Sequence, residues 1–418
     1  MNIIVIGGGA AGLMAAGTAA EQGAQVTLLE TNEKVGRKLF ITGKGRCNVC
    51  NNCDVQEVLR NVPVNPRFLY SALGGFGPAD VMDFFENHGV ALKTERGNRV
   101  FPQSDKAADI IDALFLWVKK AGVTIVHTTA DELLIEDGVL TGVRAGHKTY
   151  KADRIIVATG GASYPQTGST GDGYRFARQA GHTVVPANPS LVPLVEDGDT
   201  CQQLMGLSLR NVQLTVYEND KKLYSDFGEM LFTHFGLSGP LVLSASAHMR
   251  HFGSKKYRVE IDLKPALDEK TLDKRLLADF DKHKNSDFIN ALGELLPRKM
   301  IPVVIEKSGI DPREKVNSIT KAQRAALLRV LKAFPVEISG KRPIAEAIIT
   351  TGGVSVREVS PKTMESQKSC RTCISQVRCS MWTPTRAAST CRLRGPQAVW
   401  RVCRLRRRNH DEVHFGCH

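Results

Sequence analysis

The amino terminus carries the feature that most constrains the fold of this chain. An apolar run, Ile3–Ile6, leads directly into the glycine pattern Gly7-x-Gly9-x-x-Gly12, and a stretch of small residues follows it. A second apolar run then ends on Glu30, 18 residues after Gly12. A strand, a glycine loop, a helix and a second strand with a terminal acid are typical of the dinucleotide-binding βαβ unit. The sequence therefore predicts an α/β fold that begins with a Rossmann-type unit.

Each glycine of this pattern has a separate physical task. Gly7 allows a sharp turn off the strand, Gly9 has no Cβ and lets the backbone approach a pyrophosphate, and Gly12 lets the helix pack against the sheet. The N–H groups at the start of the helix and the helix dipole favour a phosphate at the same place. Glu30 can accept hydrogen bonds from ribose hydroxyls, which favours an unphosphorylated adenosine ribose such as that of FAD or NAD.

Length, hydropathy patterning and charge exclude several classes of protein. The 418 residues allow two or three domains. No apolar run reaches the roughly 18 residues of a membrane helix. No basic segment precedes the first strand, so we expect a cytoplasmic protein without a membrane span or a signal peptide. The net charge of +13 is uneven, because residues 367–418 hold 11 of the 56 basic and 2 of the 43 acidic residues. The remainder carries +4, and we do not expect it to bind nucleic acid.

The pattern of apolar residues changes along the chain and predicts inserted domains. Residues 1–188 fit the first part of a cofactor-binding domain, in which a further buried strand ends on a double glycine. We expect a β-rich inserted domain at 189–266, a helical subdomain at 267–336, a return to the β-rich and cofactor-binding domains at 337–366, and an aberrant tail at 367–418.

Several long stretches resemble one family of flavoproteins. The stretches are GRKLFITGKGRCN at 36–48, RVFP at 99–102, GEMLFTHFGLSGP at 228–240 and TTGGV at 350–354. Together they make the chain similar to the BaiN/YhiN-like FAD-binding oxidoreductases, also called the aminoacetone-oxidase family, over residues 1–366. The resemblance implies a glutathione-reductase-type FAD-binding Rossmann domain with an inserted β-barrel and a helical subdomain.

The resemblance also implies which residues hold the cofactor. Carried over from the family, the FAD diphosphate is held by Gly7, Gly9, Ala11 and Gly12, and the adenosine ribose is held by Glu30. The diphosphate and flavin region is lined by Arg37, Lys38, Gly43 and Arg46, and the adenine meets the backbone near Ala130. The cofactor can approach the backbone closely at Gly160 and Gly161. A guanidinium can bind phosphate as a fork, so Arg37 suits a diphosphate on chemical grounds as well. The alternative for Arg37 is an ordinary solvated arginine.

Two residues are candidates for catalysis. His234, in the best-matched stretch of the inserted domain, can protonate a substrate carbon or polarise a carbonyl, and a structural histidine is the alternative. Tyr164, just after Gly160 and Gly161, is a candidate acid at the flavin face, and packing or a bond from its phenol to the backbone is the alternative.

The spacing Cys47-x-x-Cys50-x-x-Cys53 invites a metal or redox interpretation. A structural zinc ion requires four ligands, and no fourth ligand with a matching spacing follows in the first 366 residues. We therefore expect no metal site, and we expect Cys47 to pack rather than to react.

The sequence favours an FAD-dependent oxidoreductase. It has no second glycine pattern of this kind, so we expect NAD(P)H to bind transiently and not in a domain of its own. The resemblance implies an NAD(P)H-dependent reductase of conjugated C=C bonds in a small hydrophobic substrate, a steroid or bile-acid enone. Two alternatives stay open: a flavin oxidase of a small amine, and an RNA-associated flavoprotein without this activity.

The tail after Ser366 departs abruptly from the family pattern. The family continues with the segment VLDVDAYTGGFNLQ, whereas this chain has Cys379–Cys391 instead. Met381 and Trp382 fix the codons ATG and TGG, and suitable codons for the neighbouring residues encode VLDVDAYTGGFNL in the adjacent frame. We therefore expect an out-of-frame translation from about residue 367, which leaves a sheet edge without its partner strand. The alternative is a genuine basic, cysteine-rich tail that binds nucleic acid or metal.

Overall fold

The computed structural model describes residues 1–62 and 64–368, together with the backbone of Cys373–Ser375. The chain divides into two compact units. The first comprises Met1–Ser190 and the residues from Ile344 onward, and the second comprises Leu191–Pro343. The second unit is therefore an insertion into the first.

A five-stranded parallel sheet forms the centre of the first unit. Its strands, in spatial order, are Cys373–Ser375, Arg154–Val157, Asn2–Ile6, Gln25–Glu30 and Thr124–His127. The first strand is buried from its second residue onward, because helices cover the sheet. This arrangement confirms the predicted Rossmann domain.

Two helices, Ala10–Glu21 and Ala107–Lys120, pack together beside this sheet. Gly17 lies where they meet, and a Cβ atom at Gly17 would overlap the indole ring of Trp117. The indole N–H of Trp117 donates to the carboxylate of Glu21 at 2.6 Å. The small residues after the glycine pattern thus let the first helix lie close to its neighbours.

The short strand Cys373–Ser375 corrects one expectation about the tail. The tail was expected to leave a sheet edge without its partner strand, but the backbone of Cys373–Ser375 pairs in parallel with Arg154–Val157, with Ile155 opposite Cys373. The remainder of the predicted out-of-frame segment lies outside the described residues, apart from Gln367 and Lys368.

Smaller elements complete the first unit. The remaining strands are Cys50–Asn51, Leu92–Glu95, Arg99–Pro102, Glu132–Glu136, Val139–Ala145, Lys148–Lys151, Val184–Ser190 and Ile349–Val354, and the remaining helices are Arg37–Ile41, Val55–Arg60, Tyr70–Gly75, Pro78–Asn87 and Asp172–Gln179. Val184–Ser190 and Ile349–Val354 pair in antiparallel fashion, so the chain leaves this unit and returns to it side by side.

The second unit contains a closed six-stranded barrel. Its strands are Leu194–Glu196, Ser208–Glu218, Lys221–Thr233, Gly236–Ser238, Tyr257–Asp262 and Phe334–Lys341, and its helices are Thr200–Gln203, Pro240–Ser246, Glu269–Lys282, Phe288–Ala291, Ile301–Ser308 and Lys321–Lys332. Barrel and helices share one apolar core, in which the rings of Phe232 and Phe334 meet edge to face. The inserted barrel and the helical subdomain are thus confirmed as parts of the fold.

The longest helices of this fold, Ala107–Lys120 and Glu269–Lys282, have 14 residues each. A helix that spans a bilayer needs about 20 apolar residues. Within the described ranges, no helix has the length and apolar character needed to cross a membrane.

Candidate active site

A cavity of about 510 Å³ lies at the carboxyl ends of the parallel strands. Ile6, Glu30 and Ala158, which end or directly follow three of these strands, contribute to its wall. Open parallel sheets bind ligands at this edge, and cofactor pockets typically measure about 300 to 1,000 Å³. All of its lining residues belong to the first unit.

The segment Gly7–Gly12, called here the glycine cradle, forms one wall of the cavity. Gly7 has φ +103°, a conformation that favours glycine, and a Cβ atom at Gly12 would overlap the carbonyl oxygen of Gly7. A Cβ atom at Gly9 would meet no atom within 4 Å, so the backbone there faces open space. No side chain of the described residues caps the helix that Gly9 begins, and its first turn holds no acidic residue. The cradle therefore presents unsatisfied N–H groups and the positive end of a helix dipole to the cavity.

Glu30 is buried at the floor of the cavity and is held in one orientation. Its carboxylate accepts a hydrogen bond from the backbone N–H of Gly8 at 2.5 Å. It also accepts from the backbone N–H and the side-chain amide of Asn32, at 2.8 and 2.6 Å. Because each carboxylate oxygen offers two acceptor sites, the carboxylate keeps capacity for one further donor.

Arg37 and Lys38 lie on the short helix that follows the second strand, and both line the cavity. The guanidinium of Arg37 donates to the side-chain oxygen of Asn32 at 3.0 Å. The ammonium of Lys38 donates to the backbone oxygen and hydroxyl of Ser163, at 2.7 and 3.2 Å, and to the hydroxyl of Ser169 at 3.0 Å. Lys38 thus ties the segment 163–169 to the cavity wall.

The structure brings most of the predicted cofactor residues to this cavity. The predicted residues that line it are Gly7, Gly9, Ala11, Glu30, Arg37, Lys38, Gly43, Ala130 and Gly160. Gly12 and Gly161 are not among the residues that line the cavity, and a Cβ atom at Gly161 would overlap the hydroxyl of Thr350. Their roles in binding stay predictions.

Arg46 does not line the cavity. Its guanidinium pairs with the carboxylates of Glu95 and Asp105, and it lies 4.1 Å from the centre of the Phe101 ring. The hydrogen bond to Glu95, opposed by burial, raises the pKa of Arg46. The prediction that Arg46 lines the flavin region stays a prediction.

The two catalytic candidates lie in different units. Tyr164 lines the cavity with φ +52°, and its backbone N–H donates to the carbonyl of Ala345 at 3.2 Å. Its own carbonyl accepts from the hydroxyl of Thr167 at 2.8 Å. His234 lies exposed in the second unit, at the turn between Lys221–Thr233 and Gly236–Ser238. Both catalytic roles stay predictions.

Sequence reasoning missed several residues of the cavity wall. The Thr159 hydroxyl is buried there without a hydrogen-bond partner among the described residues. Asn32 and Ser169 also line the wall and hold Glu30 and Lys38. Asn32 follows the terminal acid of the second strand by two positions, which is a usable signal, whereas nothing local to Ser169 indicates its contact with Lys38.

The cysteine pattern does not form a metal site in the described residues, where no three metal-binding side chains lie together. Cys47 and Cys50 are buried in the core of the first unit, and Cys53 is half-buried. Burial raises the pKa of Cys53, which disfavours its thiolate. This environment is that of a packed side chain.

Comparison with known proteins assigns the family. Residues 1–372 match the family described as HI0933-like protein Rossmann domain. The chain belongs to this family. The 3-dehydro-bile acid delta(4,6)-reductase of Clostridium scindens is 32% identical over 372 residues, which cover 88% of this chain and 90% of the relative. The ribosomal RNA dihydrouridine synthase of Escherichia coli is 29% identical over 369 residues, 88% of each chain. The enzyme of that name from Haemophilus influenzae is 30% identical over 369 residues, 87% of this chain and 88% of the relative.

The HI0933-like chain is an FAD-dependent oxidoreductase, and its cavity fits that cofactor. The open space at Gly9 accommodates a diphosphate, the buried hydroxyl of Thr159 lacks a partner that a ligand can supply, and Glu30 keeps an acceptor site for a ribose hydroxyl. When bound, FAD supplies the hydride chemistry of its isoalloxazine ring.

Proposed function

We propose that this protein reduces a C=C bond conjugated to a carbonyl group, with FAD as cofactor and NAD(P)H as the source of electrons. The observation that carries the proposal is the cavity lined by the glycine cradle and Glu30, in a chain whose relatives are named for one kind of reaction. A delta(4,6)-reductase acting on a 3-dehydro bile acid and a dihydrouridine synthase both saturate a C=C bond next to a carbonyl. In the reaction proposed for this protein, the β-carbon gains a hydride, the α-carbon gains a proton, and NAD(P)H is oxidised to NAD(P)⁺.

The residues of the chain divide this task between binding and proton transfer. The glycine cradle binds the diphosphate through backbone N–H groups, and Glu30 orients the ribose. Lys38 fixes the segment 163–169, so that Tyr164 is held at the cavity wall. The phenol of Tyr164 then holds the proton that the α-carbon receives, and His234 is the competing candidate for this role.

Two substrate classes follow from the relatives. The first is a small hydrophobic steroid or bile-acid enone, favoured by the relative at 32% identity. The second is a uridine in RNA, favoured by two relatives at 29% and 30% identity with similar coverage. Both contain the same reactive group, so the reaction class is independent of the choice between them.

Anaerobic spectroscopy of the FAD-loaded full chain tests the proposal. NADH or NADPH is expected to bleach the flavin absorbance, and a 3-oxo-Δ4,6 bile acid or a ribosomal RNA transcript is expected to restore it. Bleaching by a small amine without NAD(P)H, followed by recovery with O₂, would establish the oxidase alternative. RNA binding without any change in the flavin spectrum would establish a flavoprotein without this activity.

A matched pair of variants separates the two catalytic candidates. Tyr164→Phe keeps the ring and removes the phenolic proton, so we expect reoxidation by the acceptor to slow by about 100-fold while NAD(P)H still reduces the flavin. His234→Gln is expected to have little effect. The reverse result would assign the proton to His234, and unchanged rates in both variants would exclude both residues.

A further inference from the structure

Three basic side chains line the cavity, and two of them are engaged by the protein itself. The guanidinium of Arg37 donates to the side chain of Asn32. The ammonium of Lys38 donates to the hydroxyl of Ser169. Lys44 is exposed and lines the same cavity, and its ammonium makes no hydrogen bond and no ion pair within the part of the chain that the structure describes. Of the three, Lys44 can therefore bind a ligand without first losing a protein contact.

No acidic side chain in the described wall of the cavity pairs with Lys44. The acids that line the cavity there are Glu30 and Asp172. The carboxylate of Glu30 is held by backbone N–H groups, and that of Asp172 pairs with Arg175 at 3.2 Å. An anion that enters the cavity therefore meets a positive charge at Lys44 that no carboxylate of the wall neutralises.

The backbone at Lys44 has a left-handed conformation that few residues with a side chain adopt. Its φ and ψ are +59° and +44°, and its neighbours Gly43 and Gly45 have φ +58° and +84°. The three residues belong to the segment Thr42–Gly45, called here the Lys44 loop. Glycine adopts this conformation without cost, whereas a Cβ atom makes it unfavourable. Such strain persists where the surrounding structure enforces it, and it is typical of binding sites.

Contacts outside the turn hold the Lys44 loop in place. The backbone N–H of Cys47 donates to the carbonyl of Thr42 at 3.0 Å, across the loop. Directly after the loop, the guanidinium of Arg46 pairs with the carboxylates of Glu95 and Asp105. These contacts fix the backbone of the loop and leave the ammonium of Lys44 available at the cavity.

The Lys44 loop lies beyond the part of the cavity that suits the diphosphate. The N–H of Gly36 donates to the carbonyl of Gly8 at 2.8 Å, so the helix Arg37–Ile41 begins beside the glycine cradle. Five helical residues rise by about 7 Å. The two engaged basic residues start this helix, whereas Lys44 follows its far end. Lys44 is therefore placed for a second anionic group and not for the group that the cradle binds.

Apolar side chains line the same cavity. Ile41, three residues before Lys44, is 43% exposed, and Ile348 is half-buried. A ligand that combines an apolar body with one anionic group can contact both kinds of residue. The cavity thus favours an amphipathic anion over a neutral molecule of the same shape.

We propose that Lys44 is a specificity-determining residue, which binds an oxyanion carried by the acceptor, either a carboxylate or a phosphate group. This role rests on the proposed function, because it concerns the acceptor of that reaction. Both substrate classes supply the group, since the side chain of a bile acid carries a carboxylate and RNA carries phosphodiesters. An ammonium forms charge-assisted hydrogen bonds with either. An acceptor with the same reactive group but no charge gains nothing from Lys44.

Calorimetric titration of the FAD-loaded full chain, without NAD(P)H, tests this role with two pairs of ligands. Cholate and uridine monophosphate carry the anion, and methyl cholate and uridine are their neutral counterparts. We expect one of the two anions to bind, and Lys44→Gln to weaken its binding about fivefold without weakening that of the neutral counterpart. Lys44→Arg is expected to keep most of the affinity. The control is Lys34→Gln, which removes the same charge from an exposed position that does not line the cavity.

Selective weakening of cholate binding assigns a carboxylate, and selective weakening of uridine monophosphate binding assigns a phosphate. The proposal is overturned if neither anion binds, if Lys44→Gln does not weaken the anion more than its neutral counterpart, or if Lys34→Gln weakens binding as much. A fall in FAD affinity of about tenfold or more in Lys44→Gln also overturns it, because Lys44 would then hold the cofactor. Circular dichroism of each variant separates lost binding from lost folding. Binding is measured without turnover, so failure of the reductase proposal, seen as a flavin that NAD(P)H does not bleach, and failure of this role give different results.

Discussion

The glycine cradle and the Lys44 loop both present positive electrostatic potential to a ligand, but they produce it by different means. The cradle uses backbone N–H groups and a helix end, all within Gly7–Gly12, and contains no ionised group. The loop uses the ammonium of Lys44, an exposed side chain on a left-handed backbone. The comparison teaches that a site made of backbone dipoles depends on local geometry and is visible as a motif. A site made of one exposed charge depends on that charge alone, and its place at the cavity appears only in the fold.

Gly12→Val is expected to have the largest effect, because its side chain would overlap the backbone oxygen of Gly7. We expect a loss of about 3 kcal/mol of folding stability and of at least about 100-fold in FAD affinity. Thermal unfolding of the apoprotein and a titration of FAD fluorescence measure the two losses. Gly9→Ala is the control, because its methyl group meets no protein atom within 4 Å. Gly9→Ala should keep the folding stability and lower only the FAD affinity. Equal destabilisation by both variants would contradict the expected difference between Gly12 and Gly9.

The dependence of binding on ionic strength separates the two sites directly. The ammonium of Lys44 is exposed, so salt screens its attraction for an anion, and the Debye length falls from about 10 Å at about 0.1 M to about 3 Å at about 1 M salt. The difference of about fivefold in anion affinity between the unmodified chain and Lys44→Gln should therefore shrink to less than about twofold at about 1 M sodium chloride. FAD affinity should stay within about threefold over the same range, since salt screens groups in a cavity wall less than exposed charges. If anion affinity and FAD affinity changed equally with salt, the expected difference between the two sites would be wrong.

Glu30→Gln tests how much the carboxylate that accepts from the N–H of Gly8 contributes to binding. One carboxylate oxygen becomes an amide nitrogen, which cannot accept a hydrogen bond, so either the N–H of Gly8 or the N–H of Asn32 loses its acceptor. We expect FAD affinity to fall about fivefold, in line with the loss of roughly 1 kcal/mol. The matched control is Glu33→Gln, at an exposed position close by on the same segment. A fall of similar size in the control would point to a general effect of charge.

The sequence predicts the cradle well and the role of Lys44 not at all, for a physical reason. The turn at Gly7, the packing at Gly12 and the acceptor at Glu30 are local requirements of one βαβ unit, so residue type and spacing reveal them. The resemblance to flavoproteins added the inserted barrel. The contact of Lys38 with Ser169 and the place of Lys44 in the cavity wall depend instead on tertiary packing. No periodicity or spacing encodes such long-range arrangements.

Lys38→Met has the smallest expected effect on FAD affinity. It tests whether the ammonium of Lys38 binds the FAD diphosphate directly or only holds the segment 163–169 in place. Its ammonium already donates to Ser163 and Ser169, so we expect it to order the segment 163–169. FAD affinity should fall by only about threefold. The free energy of unfolding should fall by about 2 kcal/mol, because the buried acceptors lose their donor. Lys34→Met, an exposed neighbour on the same loop, should change neither quantity. A loss of FAD affinity near 100-fold with unchanged stability would show that Lys38 binds the diphosphate directly. The cradle would then rely on side-chain charge, as the Lys44 loop does.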